Sequence, residues 1–340
     1  MAGNKAWRLT SYGNFDSGIQ LMEVEMPQPA ADEVVIECYA ASLNPVDYKF
    51  AEGQLKMVYR QKLPAGLGFD CSGVISKAGA NVSHLQPGDE VFCCTPTDNP
   101  GTLARYICVK ANVVLHKPKN LTFTQAASTP LVGLTTISCF EAIQLKAGEK
   151  ILIHAGSGGV GSLAVQYATS LGAEVYTTTG TSNISWVKQL GAHKVIDYKT
   201  QNYTEELPPL DAVFDTLGGN YTLKAFELLK PGGRVVSIAG RRLDDKAARK
   251  YGLNLLLRGV MKLLLLPITL KCKKHKASYR FILNEPTGPR LELLKNLLET
   301  GQIKPVIQQV YSFAEVVDAF KMQQSGRSKG KLVIAIKQTA

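Results

Sequence analysis

Apolar and polar positions alternate along DEVVIECYAASLN (residues 32–44), as they do in a strand with one buried face. GFDCSGVISKAG (68–79), LQPGDEVF (85–92), GTLARYICVK (101–110) and NVVLHKP (112–118) continue the pattern, each bounded by Gly or Pro turns. Many short strands with such punctuation predict an irregular β-rich unit over the first 124 or so residues. The rhythm then changes. TQAASTPLVGLTTISCFEAIQL (124–145) reads as helix with a proline inside or at its boundary. KILIHA (150–155), AEVYTTT (173–179), HKVIDY (193–198), DAVFDTLG (211–218) and GRVVSIAG (233–240) read as strands. VGSLAVQYATSLG (160–172), SNISWVKQLG (182–191) and YTLKAFELLKPGG (221–233) read as the helices between them. This alternation predicts an α/β fold with a doubly wound parallel sheet. After it come an amphipathic helix at 288–301, a strand and helix in 306–326, and a last strand, GKLVIAIK (330–337), that can return to the N-terminal unit.

The first strand–helix junction of this alternation carries chemistry. In ILIHAGSGGVGSLAVQYA (Ile151–Ala168), Gly156, Gly158 and Gly161 fit GxGxxG between a strand and a helix. Gly156 permits the tight turn, Gly158 lets backbone approach a pyrophosphate, and Gly161 lets the helix lie close to the sheet. Ser157, Gly159 and Val160 complete a loop whose N–H groups and helix dipole suit phosphates. The strand that follows ends in TTTGTSN without the acid that would accept from a ribose 2′-hydroxyl. Thr179, Gly180, Thr181 and Ser182 offer hydroxyls and N–H groups there, and Tyr198 and Lys199 follow the next strand. The expected cofactor is NADPH. Leu217, Gly218, Ala239 and Gly240, at later strand ends, are expected to line it too.

Composition adds two points. The chain has 340 residues, 45% hydrophobic and 20% charged, enough for a sizeable core in two domains. Its formal charge is +11, and nine Lys or Arg with no Asp or Glu fall between residues 247 and 284. KYGLNLLLRGVMKLLLLPITLKCKKHK (250–276) joins leucines to lysines. It reads as a lid or dimer-interface helix, or as a peripheral membrane contact. Nucleic acid is disfavoured, because stacking aromatics are sparse there. Seven cysteines without a CxxC pair read as buried, reduced thiols rather than metal ligands. No apolar run spans a bilayer, and MAGNKAWRLT lacks a signal-peptide core, so a cytoplasmic protein is expected.

Taken together, SLNPVDYK (Ser42–Lys49), GFDCSGVI (Gly68–Ile75), QPGDEVF (Gln86–Phe92), Lys117–Thr135, AGSGGVG (Ala155–Gly161), DTLGG (Asp215–Gly219) and GKLVIAI (Gly330–Ile336) resemble the medium-chain dehydrogenase/reductase superfamily over nearly the whole chain. The resemblance implies a GroES-like catalytic domain from residues 1–124 and 303–340, a Rossmann domain from 125–302, and a homodimer. Many members hold a catalytic zinc. Here Asn44 stands where the first zinc cysteine would fall, and Phe69 and Asp70 stand where a His-Glu pair would fall. The segment 93–106 leaves no room for the four-cysteine structural-zinc lobe. No metal is expected, and the chain is similar to the zinc-free quinone oxidoreductase and enone reductase branch, with Asn44, Pro45 and Asp47 matching its N-P-x-D motif.

Without a metal to acidify an alcohol, an already electrophilic quinone or α,β-unsaturated carbonyl is the easier substrate. Donors aimed at its oxygen would stabilise the developing charge. The candidates are Asn44, Tyr48 and Thr135. Asp47 reads as a structural acceptor and His154 as a structural strand-end residue. By resemblance, Lys329 and Lys331 are expected at cofactor phosphate. Two alternatives stay open: a zinc-free alcohol or carbonyl dehydrogenase, and an NADPH-binding regulatory or RNA-binding protein with little turnover.

Overall fold

The computed structural model describes residues 3–56, 61–239, 249, 254–283 and 285–337. Its contacts divide the chain into two units, Met1–Leu134 with Glu285–Ala340, and Thr135–Asn284.

The first unit is β-rich and is made from both ends of the chain. Its larger sheet runs in the order Ile307–Ser312, Lys331–Ala335, Glu33–Leu43, Asp70–Ala78, Glu90–Cys94, Val114–His116, with Tyr106–Lys110 also paired to Glu33–Leu43. A three-stranded sheet of Ile19–Val24, Asn4–Leu9 and Ala65–Gly66 completes it. Inward apolar positions of these strands form one core with the helix Val316–Gln324, including Ile36, Leu43, Phe50, Ile75, Phe320 and Leu332. The last strand pairs antiparallel with Glu33–Leu43, Val333 facing Ser42. The Trp7 indole N–H donates to the Phe313 carbonyl at 2.7 Å, a second tie between the two ends. The amphipathic helix Gly288–Glu299 lies with this unit: Leu294 packs against Gly133, and Asn120 donates to the Leu298 carbonyl at 3.0 Å. These contacts group residues 125–134 and 285–302 with the first unit.

The second unit is a six-stranded parallel sheet in the order Lys194–Asp197, Glu174–Thr179, Lys150–Ile153, Leu210–Asp215, Leu229–Ser237, Ser278–Phe281. Chain order reverses at Lys150–Ile153. Strands later in sequence build outward on one side, then on the other, so a switch point falls between Ile153 and Asp215. The central strands bury Ile151, Leu152, Ile153, Ala212, Val213 and Phe214, as strands covered on both faces do. The helix expected over 221–233 is shorter: Asn220–Ala225 passes through a 3-10 turn, and LKPGGRVVS is already strand. Pro231 ends helical geometry before the glycines can.

Candidate active site

In the second unit, the loop after Lys150–Ile153 lies at the switch point. Ala155 takes a left-handed backbone, φ 54°, to turn the chain. A Cβ on Gly161 would meet the Ala155 carbonyl oxygen at 2.1 Å, and one on Gly156 would meet Thr177 Oγ1 at 2.2 Å. Both glycines are therefore required by packing. Gly158 differs: a Cβ there would meet one atom only, the Ala155 carbonyl oxygen, at a tight but not prohibitive 3.3 Å. Gly158 caps the 12-residue helix Gly159–Ser170, whose first intrahelical bond runs from Ser162 N–H to the Gly158 carbonyl at 2.9 Å. Among the described residues, the N–H groups of Gly159, Val160 and Gly161 make no hydrogen bond. Ser157 lies half-buried beside them. Unpaired donors at a helix N-terminus, behind a position kept clear of side chain, suit an anion.

One strand over, Thr179 and Gly180 are buried while Thr181 and Ser182 are exposed. The Thr179 hydroxyl is buried without a partner. A Cβ on Gly180 would touch Lys199 Cε at 3.4 Å and the Tyr198 hydroxyl at 3.6 Å, so these residues share one corner. An acid also stands there, which reading the second strand alone misses. Asp197 lies opposite Thr179 in the parallel ladder. Its Oδ2 accepts from the Thr181 hydroxyl at 2.5 Å, and its Oδ1 from Lys199 N–H at 3.0 Å. The Thr181 hydrogen bond leads the effects that hold its pKa below the usual carboxylate value. Pairing Thr179 with Asp197 through the ladder register would have found it.

On the other side of the switch point, Asp215 organises the DTLGG turn. Its Oδ1 accepts from Leu217 N–H at 3.0 Å and Gly218 N–H at 2.8 Å. Its Oδ2 accepts from Thr222 at 2.5 Å and Ser237 at 2.9 Å. Burial pushes its pKa up, but His154, Thr222 and the Gly218 N–H outweigh burial and hold it at about 2. His154 Nδ1 stands 3.5 Å from Asp215 Oδ1, with the Tyr203 and Tyr221 rings edge-on to the imidazole. Ser237 also receives the Ala239 N–H at 3.2 Å. Leu217, Gly218 and Ala239 thus line strand ends next to the glycine loop, and Gly240 lies outside the described residues. Thr135, on the helix Pro130–Ile143, is nearly buried.

The first unit holds a different site. Asn44 caps the short helix Pro45–Ala51, and its N–H donates to Asp47 Oδ2 at 2.7 Å. The Asn44 side chain is 1% exposed. Its amide donates to Asp70 Oδ2 at 2.8 Å, its oxygen accepts from Lys331, and Ser42 donates to the same Asp70 oxygen at 3.0 Å. Asp70 Oδ1 takes the Leu131 N–H at 2.7 Å. Lys331 Nζ donates to the Leu43 carbonyl at 2.9 Å and stands 3.6 Å from Asp70 Oδ2. Burial raises the Asp70 pKa and lowers that of Lys331, and each opposes the shift in the other. Burial also pushes Asp47 up to about 7. The expected phosphate contact from Lys331 gives way to this geometry, because the ammonium is buried and committed to Leu43, Asn44 and Asp70. Lys329 is exposed in the turn before the last strand, its N–H bonded to the Gln308 side chain. Tyr48 is half-buried on the capped helix. Burial, with the Glu52 charge behind it, raises its pKa and keeps it a hydroxyl donor.

Comparisons agree with both halves of this geometry. A family described as the alcohol dehydrogenase GroES-like domain matches residues 30–119, and one described as zinc-binding dehydrogenase matches 190–334. The chain is 36% identical to 2-methylene-furan-3-one reductase of Solanum lycopersicum, over 97% of this chain and 78% of that one. The chain belongs to the medium-chain dehydrogenase/reductase superfamily. Within that superfamily it falls in the zinc-free quinone oxidoreductase branch. It is 33% identical to the chloroplastic NADPH-dependent alkenal/one oxidoreductase of Arabidopsis thaliana, over 97% of this chain and 79% of that one. Among solved structures it resembles the quinone oxidoreductase of Coxiella burnetii, with a TM-score of 0.86 at 29% identity, covering 99% and 100% of the two chains. The β-rich unit is accordingly GroES-like, and the parallel unit is a Rossmann domain. The superfamily makes the protein an oxidoreductase.

Proposed function

We propose that this protein is an NADPH-dependent reductase of quinones or α,β-unsaturated carbonyls that works without zinc. The observation that carries the metal-free part is Lys331. Its ammonium lies between Asn44 and Asp70, where the superfamily's zinc enzymes place ligands. A fixed positive charge there repels a divalent cation, and Phe69 offers no ligand atom. Among the described residues, no cluster of three or more His, Cys, Asp or Glu could hold a metal.

The Rossmann residues fit a dinucleotide on structural grounds: the free N–H groups of Gly159, Val160 and Gly161, the cleared position at Gly158, and the orphaned Thr179 hydroxyl. The helix N-terminus would hold the pyrophosphate. The Gly180–Tyr198–Lys199 corner would hold a 2′-phosphate, with Thr181 engaging Asp197 so that its charge is tied down. When bound, NADPH supplies a hydride from its nicotinamide ring. The chain's part is to place the substrate and to stabilise the oxygen that gains charge. Tyr48, kept protonated, is the donor we assign to that oxygen. Asn44 is a positioning residue, because its polar atoms are already engaged and it fixes the start of the Tyr48 helix.

The test is cofactor oxidation followed across a panel of quinones, enones, aldehydes and alcohols, with NADPH against NADH and with a chelator. The reading expects quinone or enone turnover with NADPH, unchanged by the chelator. Turnover only with alcohols or aldehydes, or a chelator-sensitive rate, would overturn it.

A further inference from the structure

We propose that the exposed face of the helix Leu255–His275 docks this protein onto the surface of an anionic lipid bilayer. The inner side of the helix is satisfied. Ile268 is 2% exposed and packs with Leu265 and Cys272 on the Rossmann core, and Lys271 pairs with Glu227. The outer side is not. Leu255 is 80% exposed, Leu263 69%, Leu266 47% and Leu270 57%. These positions, with Gly259 between the first two, are three or four residues apart and fall on one stripe of the helix. Cations border the stripe. Lys262 and Lys273 lie along one edge, and Lys274 lies on the other.

No Asp or Glu occurs between residues 247 and 284. A leucine stripe flanked by lysines complements an interface whose acyl boundary is apolar and whose headgroups are negative. A second copy of this face would set the same cations against one another, which disfavours self-association through it. Nucleic acid would use the lysines but leave the leucines in water. The helix lies along such a surface rather than through it, because no helix among the described residues is long and apolar enough to cross a membrane.

The test uses the full chain and vesicles of phosphatidylcholine, with and without phosphatidylglycerol, read by sedimentation. The protein is expected to pellet with the anionic vesicles, and less so as salt rises. Leu263→Ser with Leu270→Ser removes the apolar part; Lys262→Glu with Lys273→Glu removes the charge. Each pair is expected to reduce the bound fraction about tenfold or more, with the melting temperature unchanged because these side chains face solvent. Failure of the parent protein to bind anionic vesicles overturns the proposal. So does equal binding by the variants, or a dimer that Leu263→Ser with Leu270→Ser converts to monomer while vesicles stay unbound. Sedimentation needs no turnover, so this result is independent of the reductase reading.

Discussion

At the Gly156–Gly161 loop, side chains have been stripped away; around Asn44, they have been put in. The first region makes room. Two of its glycines satisfy the protein's own packing, and the third would set a side chain against one backbone oxygen only, with three unpaired N–H groups behind it. The second region fills room. Asn44, Asp70, Ser42 and Lys331 satisfy one another in a buried network. The contrast separates a surface poised to receive charge from a core that is already neutralised. Substitutions should therefore act on affinity in the first region and on stability in the second.

The largest effect is expected in the filled region. Lys331→Met leaves Asp70 as a buried charge without its partner and should cost about 3–5 kcal/mol, read by urea denaturation. Adding Asp70→Asn should recover most of that loss. If the single variant is as stable as the parent, the network is not what holds this end of the sheet. In the open region, Gly158→Ala should lower the melting temperature far less than Gly161→Ala, since its methyl meets only one atom at 3.3 Å. NADPH binding, measured by calorimetry, should weaken roughly 100-fold, about 2.8 kcal/mol. Gly161→Ala sharpens the point: its methyl would lie 2.1 Å from the Ala155 oxygen, so stability should fall as well.

A smaller effect is expected at the strand corner. Lys199→Glu should raise KM for NADPH roughly tenfold, about 1.4 kcal/mol, and leave KM for NADH nearly unchanged. Equal changes for both cofactors would remove the corner from the 2′-phosphate. A drift of stability with pH is expected as well. The folded state holds the Asp47 proton to about 7, whereas the ordinary carboxyl loses it near 3.8. Between those values the folded state binds more protons, so stability should fall as pH rises through the window. Asp47→Asn should flatten that slope. Asp215 has the opposite sign: its pKa is lowered to about 2, so its contribution is present above the ordinary carboxyl value and is lost as pH falls through about 2.

The open region was the more legible of the two in sequence. A glycine loop is local, and strand, turn and helix follow within twenty residues, so spacing carries the geometry. The filled region draws partners from far apart. Lys331 reads as a lysine beside a surface turn because the residues just before it, Arg327 to Lys329, are polar, yet strand pairing sets it beside Leu43 and Asn44. Asp197 escapes for a related reason. Its strand precedes a loop of no special pattern, and only the parallel register with Thr179 brings it to the corner. The leucines of 255–270 are visible in sequence, but which of them face outward depends on Ile268 and Leu265 taking the inner side.

The strand Lys331–Ala335 also sets an order of events during synthesis. Leu43 and Lys331 are 288 residues apart. At roughly 5–20 residues per second, Asn44 and Asp70 wait on the order of 15–60 s on the ribosome before their ammonium partner exists. The Rossmann segment emerges whole within that interval. The nascent chain thus completes its middle first, while the N-terminal sheet keeps the edge of Glu33–Leu43 open for a strand not yet made.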